Sequence, residues 1–354
     1  MDRSAPPLLV GEVFVDFTIT GPGLENKLRF GGISHAARAF WALGVTFNTA
    51  AIIPEYLEAS ARRYFSALGC AEFRILGRVS GAPNVITIFD AREVGEQGYE
   101  SLLRDEKSVE LLSVELSDLP LGDVLIFPGG FDLQQATASL GKEARLHIDV
   151  AYDVSTPAIL GQLSSRPETV FTSTSSPWFE ALEDKRLPSI ASAFQPLANT
   201  VILKENRGGS RLLLQTGEVV HLPAQLGTTV NSVGVGDAFA ASYVAHLNFG
   251  EVEAGLRATR AAAAYSQTTE PDLFKKYVQR DASLSLRNSK VWVESRCRGR
   301  AGRRRKFIWR RQTSRRVIAE PLTFQFLRLR TTILLSVALS WKMGNSRQVQ
   351  IWPH

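Results

Sequence analysis

The chain predicts an α/β protein: a mainly parallel sheet covered by helices on both faces in an α/β/α sandwich, with a small second sheet beside it as a lid. Three observations predict it. Short apolar runs bounded by turns recur along the first 280 residues, mostly with room for a helix before the next run. Two stretches, 16–30 and 84–99, break that rhythm, being partly polar, strand-like and without a helix inside them, as a lid would be. Finally, 354 residues with 44% apolar and 21% charged side chains suffice for a sizeable core and exclude wholesale disorder.

Taken in order, Leu8–Ile19 (LLVGEVFVDFTI) is rich in β-forming residues and partly alternating. Gly31-Gly32 then opens an Ala-rich run that closes at Leu43-Gly44, the pattern of a helix with a glycine stop. Cys70, just after Leu68-Gly69, reads as a small buried residue past a helix end. Asp123–Phe127, Ala144–Val150, Glu168–Phe171 and Thr200–Lys204 are the later strand candidates, and Ala238–Leu247 is a small, apolar, helix-forming run.

Charge divides the chain. Residues 281–354 hold 14 Arg and three Lys against Asp281, Glu294 and Glu320, a balance of +14 that leaves the first 280 residues at −8. The cluster Arg296–Arg316 has neither helical nor strand periodicity, and the tail carries four of the six tryptophans. Three readings stay open for it: an Arg-rich arm for nucleic acid or a membrane surface, a disordered extension, or a segment translated out of frame. The last two together are preferred, so nucleic acid is not the expected partner. The apolar run Thr331–Trp341 is too short to span a bilayer, and Met1–Pro7 leads into a strand instead of an export signal. Two distant cysteines, Cys70 and Cys297, form no disulfide framework, and His147, His221, His246 and His354 have no metal-site spacing. A cytoplasmic protein is expected.

The chemistry concentrates in LGTTVNSVGVGDAFAASYVAHLN (226–248). Gly234-Val235-Gly236 lets successive amides point inward where a helix begins, and the helix dipole makes that point an anion site. Asp237 follows directly; a carboxylate there would repel a phosphate, so its better role is to take a proton from a hydroxyl attacking one. The bland alternative is a turn with an N-capping Asp. Asp149 closes a predicted parallel strand, where ligand sites of open sheets gather, with solvation in a loop as the equal alternative. No Walker A sequence occurs.

NSVGVGDAF resembles the C-terminal signature of the ribokinase-like, or PfkB, carbohydrate kinases, DTxGAGDxF. The likeness extends over most of residues 8–280. VILKENRGGS (201–210) resembles the family's V-t-x-G-x-x-G strand and turn, GEVFVDF places Asp16 at the family's sugar-binding aspartate, and GGISHAARAFWALG resembles GGxxxNxAxxxxxLG. The resemblance implies a ribokinase-like three-layer fold and ATP-dependent phosphorylation, with Mg²⁺, of a hydroxyl on a small sugar, polyol or nucleoside. By it Asp237 is the catalytic base and Gly234, Val235 and Gly236 form the anion hole. Asp16, Gly31, Gly32 and His35 hold the acceptor; Asn231, Ser232, Lys204, Asn206 and Gly209 lie along the nucleotide; and Glu180 serves the Mg²⁺ network. Lid strands in the family often pair between subunits, which is compatible with a homodimer.

Several positions depart from the pattern. Asn231 and Ser232 replace Asp and Thr, Asn206 replaces the first glycine of the turn, His35 replaces Asn with one residue fewer after the glycine pair, and Pro177 stands where Asn-x-x-Glu has its Asn. Asn206 tolerates a left-handed backbone better than most residues do. The departures support an alternative function, a non-catalytic sugar- or nucleotide-binding relative.

Overall fold

The computed structural model describes residues 5–19, 26–81, 84–89, 99–101, 107–114, 116–119, 122–141, 143–150, 156–206, 209–225, 227–283, 290–295, 306–313 and 316–321. Positions 20–25 and 90–98 of the two lid stretches, Cys297, His354, the run Thr331–Trp341 and most of the tail lie outside the described residues.

Seven strands form the parallel centre of the main sheet. In spatial order they are β12 (Thr200–Lys204), β11 (Thr169–Ser173), β10 (Arg145–Asp149), β9 (Asp123–Ile126), β1 (Leu8–Glu12), β4 (Phe47–Ile53) and β5 (Cys70–Ser80). Antiparallel strands flank it: β8 (Ser108–Leu111) beside β5, and β13 (Ser210–Leu213) and β14 (Val219–Leu222) beyond β12. Central strands read as continuous apolar runs because both faces are covered. Leu9 of β1 and Phe47, Ala51 and Ile53 of β4 enter one core with α1 (Ser34–Leu43), α2 (Glu55–Ala67), α7 (Val235–Ala245), α8 (Glu251–Ser266) and α9 (Pro271–Ser283). Their alternating neighbours Leu8, Val10, Ala50 and Ile52 enter a second core with α3 (Leu133–Ala138), α4 (Thr156–Leu160), α5 (Pro177–Glu180) and α6 (Leu187–Phe194). This is the three-layer α/β/α sandwich expected.

The expected strand Leu8–Ile19 is two strands. β1 sits in the main sheet, whereas β2 (Val15–Thr18) belongs to a separate four-stranded sheet ordered β3 (Lys27–Phe30), β2, β6 (Val85–Ile88), β7 (Tyr99–Ser101). Each piece is apolar-rich, so the pattern does not mark where the chain changes sheet. α1 starts and stops close to the predicted points, and Gly44 ends it at φ 72°, a left-handed conformation suited to glycine.

From the tail the structure describes three strands, β15 (Lys290–Ser295), β16 (Lys306–Thr313) and β17 (Arg316–Pro321), which continue the antiparallel edge from β14. The sequence shows no strand periodicity there. An open sheet edge recruits strands through backbone donors and acceptors, which side-chain alternation does not record. Among the described residues no helix is long and apolar enough to cross a membrane.

Parallel strands deliver their carboxyl ends to one edge of the sheet. β1 ends at Glu12, β10 at Asp149 and β12 at Lys204 on that edge. The chain turns outward in both directions from β1, with β4 on one side and β9 on the other, which is the switch point where open α/β sheets form a ligand crevice.

Candidate active site

Asp16 is brought in by β2 and is 3% exposed. Its Oδ2 accepts hydrogen bonds from His35 Nε2 at 3.1 Å and from Arg29 Nε, on the paired strand β3, at 3.2 Å. The glycine pair makes this closeness feasible. A β-carbon on Gly31 would lie 1.9 Å from Asp16 Oδ1, and one on Gly32, whose φ is 59°, would lie 2.2 Å from the Glu12 carbonyl. Burial alone would raise the Asp16 carboxyl, but His35, Arg29 and Arg38 outweigh it and hold the group below the ordinary carboxylate range.

His35 occupies the first turn of α1. Its Nδ1 lies 2.7 Å from the Tyr265 hydroxyl and 3.2 Å from Arg38 Nη1. Burial pushes its pKa down to about 4, so the ring is neutral at physiological pH. A neutral ring that accepts at Nδ1 carries its hydrogen on Nε2, where it is donated to Asp16. Arg38, one helical turn on, donates to the Tyr265 hydroxyl at 3.1 Å, the Tyr64 hydroxyl at 2.5 Å and the Phe30 carbonyl at 2.6 Å.

The loop before α7 meets this cluster from the other side. Asn231 is 2% exposed; its backbone N–H donates to the Ser266 carbonyl at 3.0 Å, its Nδ2 to the Val233 carbonyl at 3.0 Å, and its Oδ1 accepts from Arg29 Nη2 at 3.3 Å. Gly234 caps α7 with φ 79°. The Val235 amide donates to the Ser232 carbonyl at 3.3 Å and that of Ala238 to the Gly234 carbonyl at 3.0 Å. No acceptor among the described residues takes the amide hydrogens of Gly236 and Asp237, as expected of a helix's first turn. The Gly234 amide likewise has no acceptor among the described residues, so of the 234–236 set expected only the Val235 amide is engaged.

Asp237 lies in that first turn, 7% exposed. Burial, then the Asp149 carboxylate, push its pKa up to about 7 against the opposing Lys204; Asp16 adds to the rise. Lys204 Nζ donates to Asp149 Oδ2 at 2.6 Å, which joins the ends of β12 and β10. The amine also crowds the anion loop, since a β-carbon on Gly236 would sit 3.1 Å from it. Past β12 the chain turns through Asn206 (φ 50°) and Gly209 (φ 92°), with the Glu205 amide donating to the Gly209 carbonyl at 2.8 Å. Asn206 takes the left-handed backbone for which the glycine of the resembled motif is suited.

Glu180 stands apart. It is exposed at the end of the four-residue α5, and no hydrogen bond or ion pair of the cluster includes it. Among the described residues no group of three His, Cys, Asp or Glu side chains could hold a metal ion.

Three participants escape sequence reasoning: Arg29, Arg38 and Tyr265 bind the predicted residues directly. Asp149, expected at a strand end where ligand sites gather, pairs with Lys204. Arg38 is one turn from His35 on the same helix face, which is a usable signal. Tyr265 is 230 positions from His35, and nothing in spacing connects them.

No family model matches the chain, and no curated protein matches it by sequence. Solved structures do match in fold. Aminoimidazole riboside kinase of Salmonella enterica, complexed with aminoimidazole riboside and an ATP analogue, aligns with TM-score 0.59 at 14% identity over 77% of this chain and 99% of its own. Arabidopsis thaliana ribokinase with ribose and ATP gives 0.54 at 14% over 78% and 98%, and an Escherichia coli protein described as a putative ribokinase II with ATP and Mg²⁺ gives 0.53 at 13% over 78% and 99%. The chain has the ribokinase-like fold.

Proposed function

We propose that this protein is an ATP-dependent kinase that phosphorylates a hydroxyl of a small sugar, polyol or nucleoside. One observation carries the reading: Asp237 is buried beside two amides without acceptors, in the first turn of a glycine-capped helix, and is coupled to Asp16 on the lid. On this reading base, anion hole and acceptor-binding carboxylate lie close together. The ligands carried by the structural neighbours support the same reading.

In the proposed reaction Asp237 takes the proton of the attacking hydroxyl as its oxygen bonds to the γ-phosphorus and the bond from that phosphorus to the ADP oxygen breaks. A carboxylate with a pKa of about 7 suits the task, being substantially ionised at neutral pH and basic enough to keep the proton. The Gly236 and Asp237 amides stabilise charge on the transferred group, and Lys204 stands next to them. Asn231 is fastened to Arg29 of the lid, so closing strand β3 sets the loop in register. Among the described residues no carboxylates form a metal cage, so Mg²⁺ would enter with the ATP phosphates, whose charge it would neutralise.

A second reading has its own observation. Asp16 already accepts from His35 and Arg29, as a non-catalytic ligand-binding relative of these kinases could retain. The deciding experiment is ATP-dependent ADP release across a panel of sugars, polyols and nucleosides, run beside Asp237→Asn. Release that depends on acceptor and vanishes in the variant upholds the kinase; binding of ligand by both proteins without release upholds the binding relative.

A further inference from the structure

We propose that the acceptor bound here carries an anionic group, a carboxylate or a phosphate, and that Arg29 on the lid receives it. The inference rests on the kinase reading for the word acceptor, but its argument is one of charge. Two guanidinium groups, of Arg29 and Arg38, enter the cluster around His35, and Asp16 is the only carboxylate among the described residues that either contacts. Arg38 is 6% exposed, and its hydrogen-bond partners among the described residues are neutral: two tyrosine hydroxyls, the Phe30 carbonyl and the His35 ring. Arginine keeps its charge in proteins, and the neutral His35 cannot absorb it. Among the described residues in contact around His35, two guanidinium groups therefore face one carboxylate.

The neighbouring carboxylates pair elsewhere or touch neither guanidinium. Glu12 is matched by Lys107 and Asp149 by Lys204, while Asp237 contacts neither Arg29 nor Arg38. A neutral polyol would leave the excess uncompensated beside a guanidinium only 6% exposed, whereas an acid would pair with it.

Arg29 is the group placed to make that pair. Its side chain is 17% exposed; Nε serves Asp16 and Nη2 serves Asn231, and Nη1 has no acceptor among the described residues. Lys27, two residues earlier on the same face of β3, reaches Thr269 Oγ1 at 3.4 Å and adds a second cation along the edge. Arginine's fork suits carboxylate and phosphate alike.

The test uses the full chain and matched ligands: glucose against gluconate, glycerol against glycerate, and ribose against ribose 5-phosphate. Binding is read by calorimetry without nucleotide, and turnover by ADP release. At least one acid binds about tenfold or more tightly than its neutral partner; Arg29→Gln brings the pair to within about twofold, and Arg29→Lys, which keeps the charge, retains part of the preference. No preference for any acid, binding by no member, or a preference that survives Arg29→Gln in a cooperatively folded protein overturns the proposal. Acid binding without ADP release upholds it while overturning the kinase reading; release with neutral acceptors alone does the reverse. The sugar acid and sugar phosphate arms identify which anion is taken.

Discussion

His35 packs against Gly234 so closely that a β-carbon on that glycine would lie 2.2 Å from its Cγ. The residue that holds the lid aspartate thus also rests on the cap of the anion loop, which joins the two halves of the proposed reaction by contact. Gly234→Ala would meet both that clash and a φ of 79°, where alanine is disfavoured by about 1 kcal/mol before any collision. We expect lowered thermal stability and a loss of activity. Combining it with His35→Asn, which shortens the facing side chain, should recover part of the stability but not all, because the backbone strain remains. Full additivity of the two changes in a double-mutant cycle would show that the contact carries no energy.

Asp237→Asn should reduce kcat by about 10²–10⁴-fold, the usual contribution of a positioned base. In the parent protein kcat/KM should rise with pH through a midpoint near 7, since the ionised form is the active one. Stability should run the other way. The folded pKa of about 7 lies above the ordinary 3.8, so the proton is held more tightly in the folded chain; its contribution is complete below about pH 4 and lost as pH rises through about 7. Asparagine escapes this loss. The variant should melt higher than the parent at pH 8 and gain little at pH 4.5, and an equal gain at both would contradict a perturbed carboxyl.

His35 gives the opposite slope. Its folded pKa of about 4 lies below the ordinary 6.5, so the stability it contributes is present above pH 6.5 and is lost as pH falls through about 4. Replacing it with Gln, which keeps a donor and an acceptor but does not titrate here, should flatten the decline in melting temperature between pH 6.5 and 4. NMR of labelled histidine should find one ring with its hydrogen on Nε2 and no titration near 6.5. A ring that charges at its ordinary pH would remove the basis for a neutral hydrogen bond to Asp16.

Much of this site was legible in the sequence, and the illegible part has a common cause. Glycines were informative because each answers a local geometric demand: Gly31 and Gly32 to close approach, Gly234 to a left-handed cap, Gly44 to a helix end. The strand–helix alternation likewise predicted the layers, since buried parallel strands have a recognisable composition. Arg38, Tyr265 and the Lys204–Asp149 pair were missed as partners because their relationships span helices and strands far apart in the chain. An arginine in α1 reads as surface charge until a tyrosine 227 positions away closes over it. The same limit applies to β15–β17, which pair in succession outward from β14 through backbone hydrogen bonds rather than through side-chain alternation.

Lys204 and Asp149 act on Asp237 with opposite signs, and this separates an electrostatic role from a merely structural one. Lys204 lowers the pKa of Asp237 and Asp149 raises it. Lys204→Met should therefore move the pH midpoint of kcat/KM upward, and Asp149→Asn should move it downward, although both break the same 2.6 Å ion pair. Each single change should lower stability, because it breaks a hydrogen-bonded ion pair whose two residues are 9% and 2% exposed. The double variant Lys204→Met with Asp149→Leu removes both charges and should recover most of that loss while leaving turnover low, as the amine beside the Gly236 amide is gone. If the two single variants shift the midpoint in the same direction, the pair affects Asp237 through distortion of the loop and not through its charges.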